Sequence, residues 1–154
     1  MSKIESRLSS LGVELPDVCP PVANYVSSTR SGNIVQISGQ LSTHANGGIK
    51  GTVGDDCSLA DGIIAARLCA INLIAQFKAA AGGDLDRVAR VLRLGGYVQA
   101  GSEFYDIPTV MNGCSDLIVD VFGEAGKHAR SAIGVYRLPF NFAVEVDAVI
   151  EIDS

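Results

Sequence analysis

The chain has 154 residues, of which 47% are hydrophobic and 19% are charged. A chain of this length buries about 70% of the surface of its unfolded state. Residues 1–154 are therefore expected to form a single globular domain. The net charge of −5 excludes the strongly basic surface that a phosphate backbone requires, so nucleic acid is not an expected partner.

Targeting segments and metal-site spacings are not found in the sequence. The chain begins without an apolar core and cleavage signal, and no run reaches the roughly 18 apolar residues of a membrane span. A cytoplasmic location without a membrane partner is therefore expected. The four cysteines form no Cys-x-x-Cys pair and have no zinc-like spacing to His44 or His128, so free thiols and no metal are expected. Cys69 is assigned to the core, and Cys114 is the cysteine most expected to lie near a pocket.

Runs rich in Val, Ile, Leu and aromatic residues, bounded by turn residues, predict the strands. The predicted strands cover residues 22–28, 34–38, 49–53, 88–98, 129–138 and 142–152. The first two and the last two are each predicted to form a hairpin, because only a short turn separates them. The last strand alternates apolar with acidic side chains, which predicts one buried face and one acidic face.

The predicted helices have recognisable start and stop signals. They run from Ser2 to Leu11, from Ser58 or Asp61 to Gly82-Gly83, and from Thr109 to Phe122. The first helix lies in an N-terminal extension of residues 1–15. The order of elements indicates an α+β fold, a mixed or antiparallel sheet with two long helices on one face. Other subunits are expected to cover the open face of such a sheet.

Three short motifs carry a resemblance to a known family. Residues 128–139 read HARSAIGVYRLP and residues 144–148 read VEVDA. Tyr25 precedes a predicted hairpin that ends in ISGQ at residues 37–40. Together these motifs closely resemble the signature of the YjgF/Rid (reactive intermediate deaminase) family, also called endoribonuclease L-PSP. The order of helices and strands agrees with that family over nearly the whole chain.

This resemblance implies a chorismate-mutase-like fold, a homotrimer with ligand clefts between subunits, and no metal or organic cofactor. Active members of the family hydrolyse 2-iminoacids to 2-ketoacids and ammonia. The resemblance assigns a bidentate contact with the substrate carboxylate to Arg130 and the positioning of the attacking water to Glu145. Positions that match cleft-lining residues of the family are Tyr25, Ser38, Gly39, Asn112 (after a one-residue shift) and Ala132, where many members carry cysteine.

The residue types suit this chemistry independently of the family. A planar guanidinium makes two parallel charge-assisted hydrogen bonds to a carboxylate, so Arg130 fits an iminoacid. A protonated imine is already electrophilic, and it needs orientation, a water molecule and a proton acceptor more than a covalent nucleophile. Glu145 is the candidate acceptor.

The predicted second hairpin places Arg130 far from Glu145. If the turn is tight, Glu145 pairs near Tyr136, and Arg130 lies about six residues, or roughly 20 Å, farther along the strand. Either the hairpin is irregular or the pocket joins strands of different chains.

Two other functions remain open. One is a non-catalytic trimer that binds small carboxylates, for example as a sensor. The other is ribonuclease activity, which the acidic charge and the lack of a paired histidine site disfavour. His44 and His128 are instead assigned surface or turn roles.

Overall fold

The computed structural model describes residues 2–21 and 23–154. Its helices are α1 (Lys3–Ser10), α2 (Leu59–Ala80) and α3 (Ile107–Phe122). Its strands are β1 (Ser28–Ser31), β2 (Ile34–Leu41), β3 (Val88–Gln99), β4 (Ala129–Val135) and β5 (Val144–Ile152).

The five strands form one mixed sheet in the order β1-β2-β5-β3-β4. β5 lies at the centre and runs antiparallel to β2 and β3, whereas β4 runs parallel to β3 at the edge. α3 makes the crossover that a parallel pair requires. α2 packs on β2 and β5, α3 packs on β3 and β4, and the two helices pack against each other. The predicted α+β fold, a mixed sheet with two long helices on one face, is confirmed.

The alternating pattern of β5 divides the sheet into a buried face and an open face. The buried side chains, which face the helices, are Val144, Val146, Ala148, Ile150 and Ile152. The half-buried side chains on the open face are Glu145, Asp147, Val149 and Glu151. Each aliphatic side chain that is fully removed from water contributes about 1.5–3 kcal/mol, so this pattern fixes which way every side chain of the strand points.

The short helix α1 is docked on the body of the domain as a capped element. The Ser2 hydroxyl accepts a hydrogen bond from the Glu5 backbone N–H, as predicted for an N-cap. The Asp86 carboxylate accepts hydrogen bonds from the backbone N–H groups of Ile4 and Lys3, both at 2.9 Å. These two bonds lower the pKa of Asp86, because they stabilise the charged carboxylate.

Two predicted strands in the first half of the chain are wrong. Val22 lies outside the described residues, and residues 23–27 do not belong to a strand, because β1 begins only at Ser28. Residues 49–53 make isolated bridges rather than a strand. The cause is Gly51, whose φ of +114° interrupts the extended backbone.

The predicted second hairpin is also wrong, because β3 lies between β4 and β5. The connection between them contains a turn at Pro139–Asn141, in which Phe140 and Asn141 have φ values of 58° and 64°. The buried Gln99 side chain anchors this turn. Its oxygen accepts a hydrogen bond from the Leu138 N–H at 2.8 Å, and its nitrogen donates to the Asn141 side-chain oxygen at 2.7 Å.

Helix α2 is long and apolar enough to cross a membrane by length and composition alone. In the fold it is a core helix, and nine of its residues are buried. α3 approaches it closely at Gly113, where a Cβ atom would overlap the backbone carbonyl oxygen of Ile63.

Candidate functional site

The two residues assigned to chemistry lie on opposite faces of the sheet. Arg130 of β4 aligns with the buried Leu94 of β3, and its side chain bonds to α3. Glu145 of β5 aligns with Tyr97 of β3 and with Leu41 of β2, rather than with Tyr136. Because alternate side chains of a strand point to opposite faces, Arg130 lies on the helix side and Glu145 on the open side. Arg130 and Glu145 therefore do not meet within one protomer. The predicted reason is distance along a hairpin, whereas the observed reason is that they lie on opposite faces of the sheet.

The Arg130 guanidinium is held from one side. Its Nη1 donates to the Asn112 side-chain oxygen at 2.9 Å and to the Ser115 hydroxyl at 3.2 Å. Both hydrogens of Nη1 are thereby used. Within residues 2–21 and 23–154, no group accepts a hydrogen bond from Nε or Nη2 of this side chain. The Nε–Nη2 edge is therefore available for the two oxygens of a carboxylate.

Ser115, which contacts Arg130, is itself hydrogen-bonded to His128. Ser115 Oγ lies 2.9 Å from His128 Nε2, and His128 Nδ1 lies 2.6 Å from the Gly126 carbonyl oxygen. His128 lies outside helices and strands, immediately before β4, and its two ring nitrogens have these two partners. Ser115 is in the middle of α3 and His128 immediately precedes β4, so only the packing of α3 on the sheet brings them together. No spacing rule in the sequence indicates this pair.

The open face carries a compact acidic group beside two glycines. The Tyr97 hydroxyl donates to Asp147 at 3.0 Å. A Cβ atom at Gly39 would lie 2.5 Å from a Glu145 carboxylate oxygen, and one at Gly95 would lie 2.5 Å from an Asp147 oxygen. The bare backbone at these glycines makes room for the carboxylates.

Burial and like charge both act on this acidic group. Burial raises the pKa of Glu145, and the negative charge of Asp147 raises it further. The hydrogen bond to Asp147 raises the pKa of Tyr97, and partial burial adds to the effect. Both shifts favour the protonated forms, so Glu145 retains its proton to a higher pH than an ordinary glutamate does.

The remaining predicted residues divide between the two faces. Ala132 aligns with Gly96 on the helix side, two residues after Arg130. Ser38 lies at the bulge in β2, next to Gly39, and donates from its hydroxyl to the Val26 carbonyl at 2.7 Å. Tyr25 is 57% exposed. One protomer thus presents Arg130, Asn112 and Ala132 at one edge, and Glu145 with Ser38 and Gly39 on the open face.

The described residues hold no cluster of metal ligands, and the cysteine near Arg130 is buried. No group of three His, Cys, Asp or Glu side chains that could hold a metal occurs in the described part of the chain. Cys114 is fully buried, and burial raises its pKa to about 12, although the nearby Arg130 cation opposes the shift. A thiol with this pKa stays protonated at neutral pH and is a poor nucleophile. Cys69 is buried in the core, as predicted.

Comparisons with known proteins identify the family. The family model described as "YjgF/chorismate_mutase-like, putative endoribonuclease" matches residues 5–152. Protein TCP17 of Trypanosoma cruzi is 44% identical, covering 99% of this chain and 96% of that protein.

Solved structures agree with this match. The crystal structure of Atu1372 from Agrobacterium tumefaciens, described as a protein of unknown function, superposes with a TM-score of 0.91 at 48% identity. The match covers 97% of this chain and 92% of that one. RidA from Psychrobacter sp. PAMC 21119 has a TM-score of 0.59 and 25% identity, covering 91% of this chain and 98% of that one. The chain therefore belongs to the YjgF/Rid family.

Proposed function

We propose that the protein is an enzyme that hydrolyses small 2-iminoacids to 2-ketoacids and ammonia, with Arg130 as the carboxylate clamp. The observation that carries the proposal is the guanidinium of Arg130, which is held through Nη1 by Asn112 and Ser115 and presents its Nε–Nη2 edge. A planar edge with two parallel donors matches the two oxygens of a carboxylate. Relationship to RidA supports the assignment.

The proposed reaction is balanced without a cofactor. Water adds through its oxygen to the protonated C=N carbon, and one water proton passes to an acceptor, for which we propose Glu145. The nitrogen then takes up protons, the C–N bond breaks, and the second water proton is lost as C=O forms. The sum is iminium plus water giving ketone plus ammonium, so a positioned acceptor that returns its proton is sufficient.

We further propose that the cleft is completed in a homotrimer, because one protomer separates Arg130 from Glu145. The open face also leaves Ile34 and Ile133 more than a third exposed, which suits contact with another copy. A solution mass of about 48 kDa is expected, three times the 16.1 kDa chain. A mass of one chain would contradict the shared cleft.

The activity is tested by generating 2-iminobutanoate in situ and following the release of 2-oxobutanoate, with the purified protein added or omitted. Faster release with the protein supports the deaminase. Unchanged release together with saturable binding of 2-oxobutanoate would instead favour the carboxylate-binding or sensor function. Ribonuclease activity has no supporting feature among the described residues beyond the family description. We retain the cytoplasm as the proposed location.

The raised pKa of Glu145 predicts the pH dependence of the reaction. Glu145 accepts a proton only when ionised, so kcat/KM should fall as the pH decreases through this pKa, at a higher pH than for an ordinary glutamate. Asp147→Asn removes a neighbouring negative charge and keeps an acceptor for Tyr97, so it should move the fall to lower pH. The measurement is kcat/KM against pH. Glu151→Gln, on the same face of β5, should leave the profile unchanged, and an unshifted profile in Asp147→Asn would contradict the assignment.

A further inference from the structure

A chain of hydrogen bonds runs from Arg130 through two residues to the protein backbone. The Arg130 Nη1, the Ser115 hydroxyl, the His128 imidazole and the Gly126 carbonyl follow one another at 3.2, 2.9 and 2.6 Å. We propose that Ser115 and His128 are positioning residues, which fix the plane of the Arg130 guanidinium and thereby the plane in which a 2-oxo or 2-imino carboxylate is held. This inference rests on the clamp role proposed for Arg130.

When His128 is neutral, only one assignment of donors and acceptors satisfies every link of this hydrogen-bond chain. A carbonyl oxygen only accepts, so the Nδ1 of His128 must carry the ring hydrogen and donate to Gly126. Nε2 is then an acceptor and takes the hydrogen of the Ser115 hydroxyl. The Ser115 oxygen is left to accept from Arg130. Each group therefore orients the next.

The hydrogen-bond chain contacts the guanidinium at Nη1, on the side opposite the edge proposed for the ligand. In a planar guanidinium, the Nε–Nη2 edge points away from Nη1. Ser115 contacts Nη1, so a carboxylate on the other edge touches neither Ser115 nor His128. Bidentate pairing holds the guanidinium and the carboxylate in one plane. Loss of the hydrogen-bond chain leaves Nη1 held by Asn112 alone among the described residues, and a single hydrogen bond lets the plane of the ligand rotate. The effect should appear in ligand affinity and not in the folding of the domain.

The test measures 2-oxobutanoate binding by titration calorimetry, with the melting temperature of each variant. Ser115→Ala and His128→Leu should each weaken binding about tenfold, since each removes one link that supports a charged hydrogen bond. The double variant should bind no more weakly than either single variant, because the two residues act in series. His128→Gln keeps a group that can accept from Ser115 and should recover most of the affinity. Ser10→Ala, at an exposed helical serine, and His44→Leu, at an exposed histidine, are the matched controls.

Arg130→Ala separates failure of this inference from failure of the clamp. If Arg130→Ala abolishes binding while Ser115→Ala and His128→Leu bind as the wild type does, the positioning role is overturned and the clamp stands. If Arg130→Ala binds normally, the clamp itself is wrong and the inference falls with it. If His128→Leu does not fold, the comparison of Ser115→Ala with Ser10→Ala still decides, because alanine is well tolerated in helices.

Discussion

Replacement of Arg130 by alanine is expected to lower kcat/KM for 2-iminoacid hydrolysis by about 100- to 10,000-fold. Two charge-assisted hydrogen bonds to the substrate carboxylate are lost, each worth about 1.5–3 kcal/mol, and about 1.4 kcal/mol corresponds to a factor of ten. The substrate also loses the orientation that a bidentate contact imposes. The measurement is initial-rate kinetics of 2-oxobutanoate release with each variant.

Two further variants make this result specific. Arg130→Lys keeps the positive charge without the planar pair of donors, so its kcat/KM should lie between those of the wild type and Arg130→Ala. Arg30→Ala removes an exposed arginine of β1, at the other edge of the sheet, whose Nε donates a hydrogen bond to the Gly32 carbonyl oxygen. It should leave kcat/KM unchanged. Equal rates for Arg130→Ala and the wild type would refute the clamp.

Replacement of Gly113 by valine is expected to destabilise the domain by about 3 kcal/mol or more. A Cβ atom at this position would overlap the Ile63 carbonyl oxygen of α2, which is backbone and cannot rotate away. α2 and α3 must therefore move apart, and overpacking of this kind costs about 1–3 kcal/mol or more. The valine side chain adds two methyl groups to the same contact.

Thermal or urea unfolding measures this effect. For a domain of this size, about 3 kcal/mol lowers the Tm by roughly 6–12 °C. Asp116→Val is the matched control, because it places valine at an exposed position of the same helix and tests helix propensity alone, which is worth less than about 1 kcal/mol. Similar Tm values for the two variants would show that α2 and α3 can move apart at Gly113 without loss of stability.

The elements that could be predicted from the sequence are those with a local physical cause. The alternation in residues 144–152 fixes β5, and the hydroxyl of Ser2 caps α1, because both effects act within a few residues. Strand pairing depends on distant partners. β4 and β5 are close in sequence, which favours a hairpin, but α3 carries the chain across so that β4 pairs in parallel with β3.

In the candidate site, too, the sequence predicts the features that have a local cause and misses those that depend on distant contacts. Arg130 stands in a motif that the sequence displays directly, and its planar guanidinium suggests a carboxylate. The faces of Arg130 and Glu145 follow from the register of each strand with β3, which no local pattern specifies. The contact of Ser115 with His128 exists only because α3 lies over the start of β4, so composition and spacing could not predict it.

A polypeptide that grows from its N-terminus can pair β1 with β2 and β3 with β4, but it cannot join these halves before residues 144–152 exist, because β5 lies between β2 and β3. Contacts such as Val35 with Ile150 span most of the chain, and long-range pairing of this kind slows folding. The sheet can thus be completed only once residues 144–152 have been made. A chain that stops before residue 144 leaves the edges of β2 and β3 unpaired, and these edges can recruit strands of other chains.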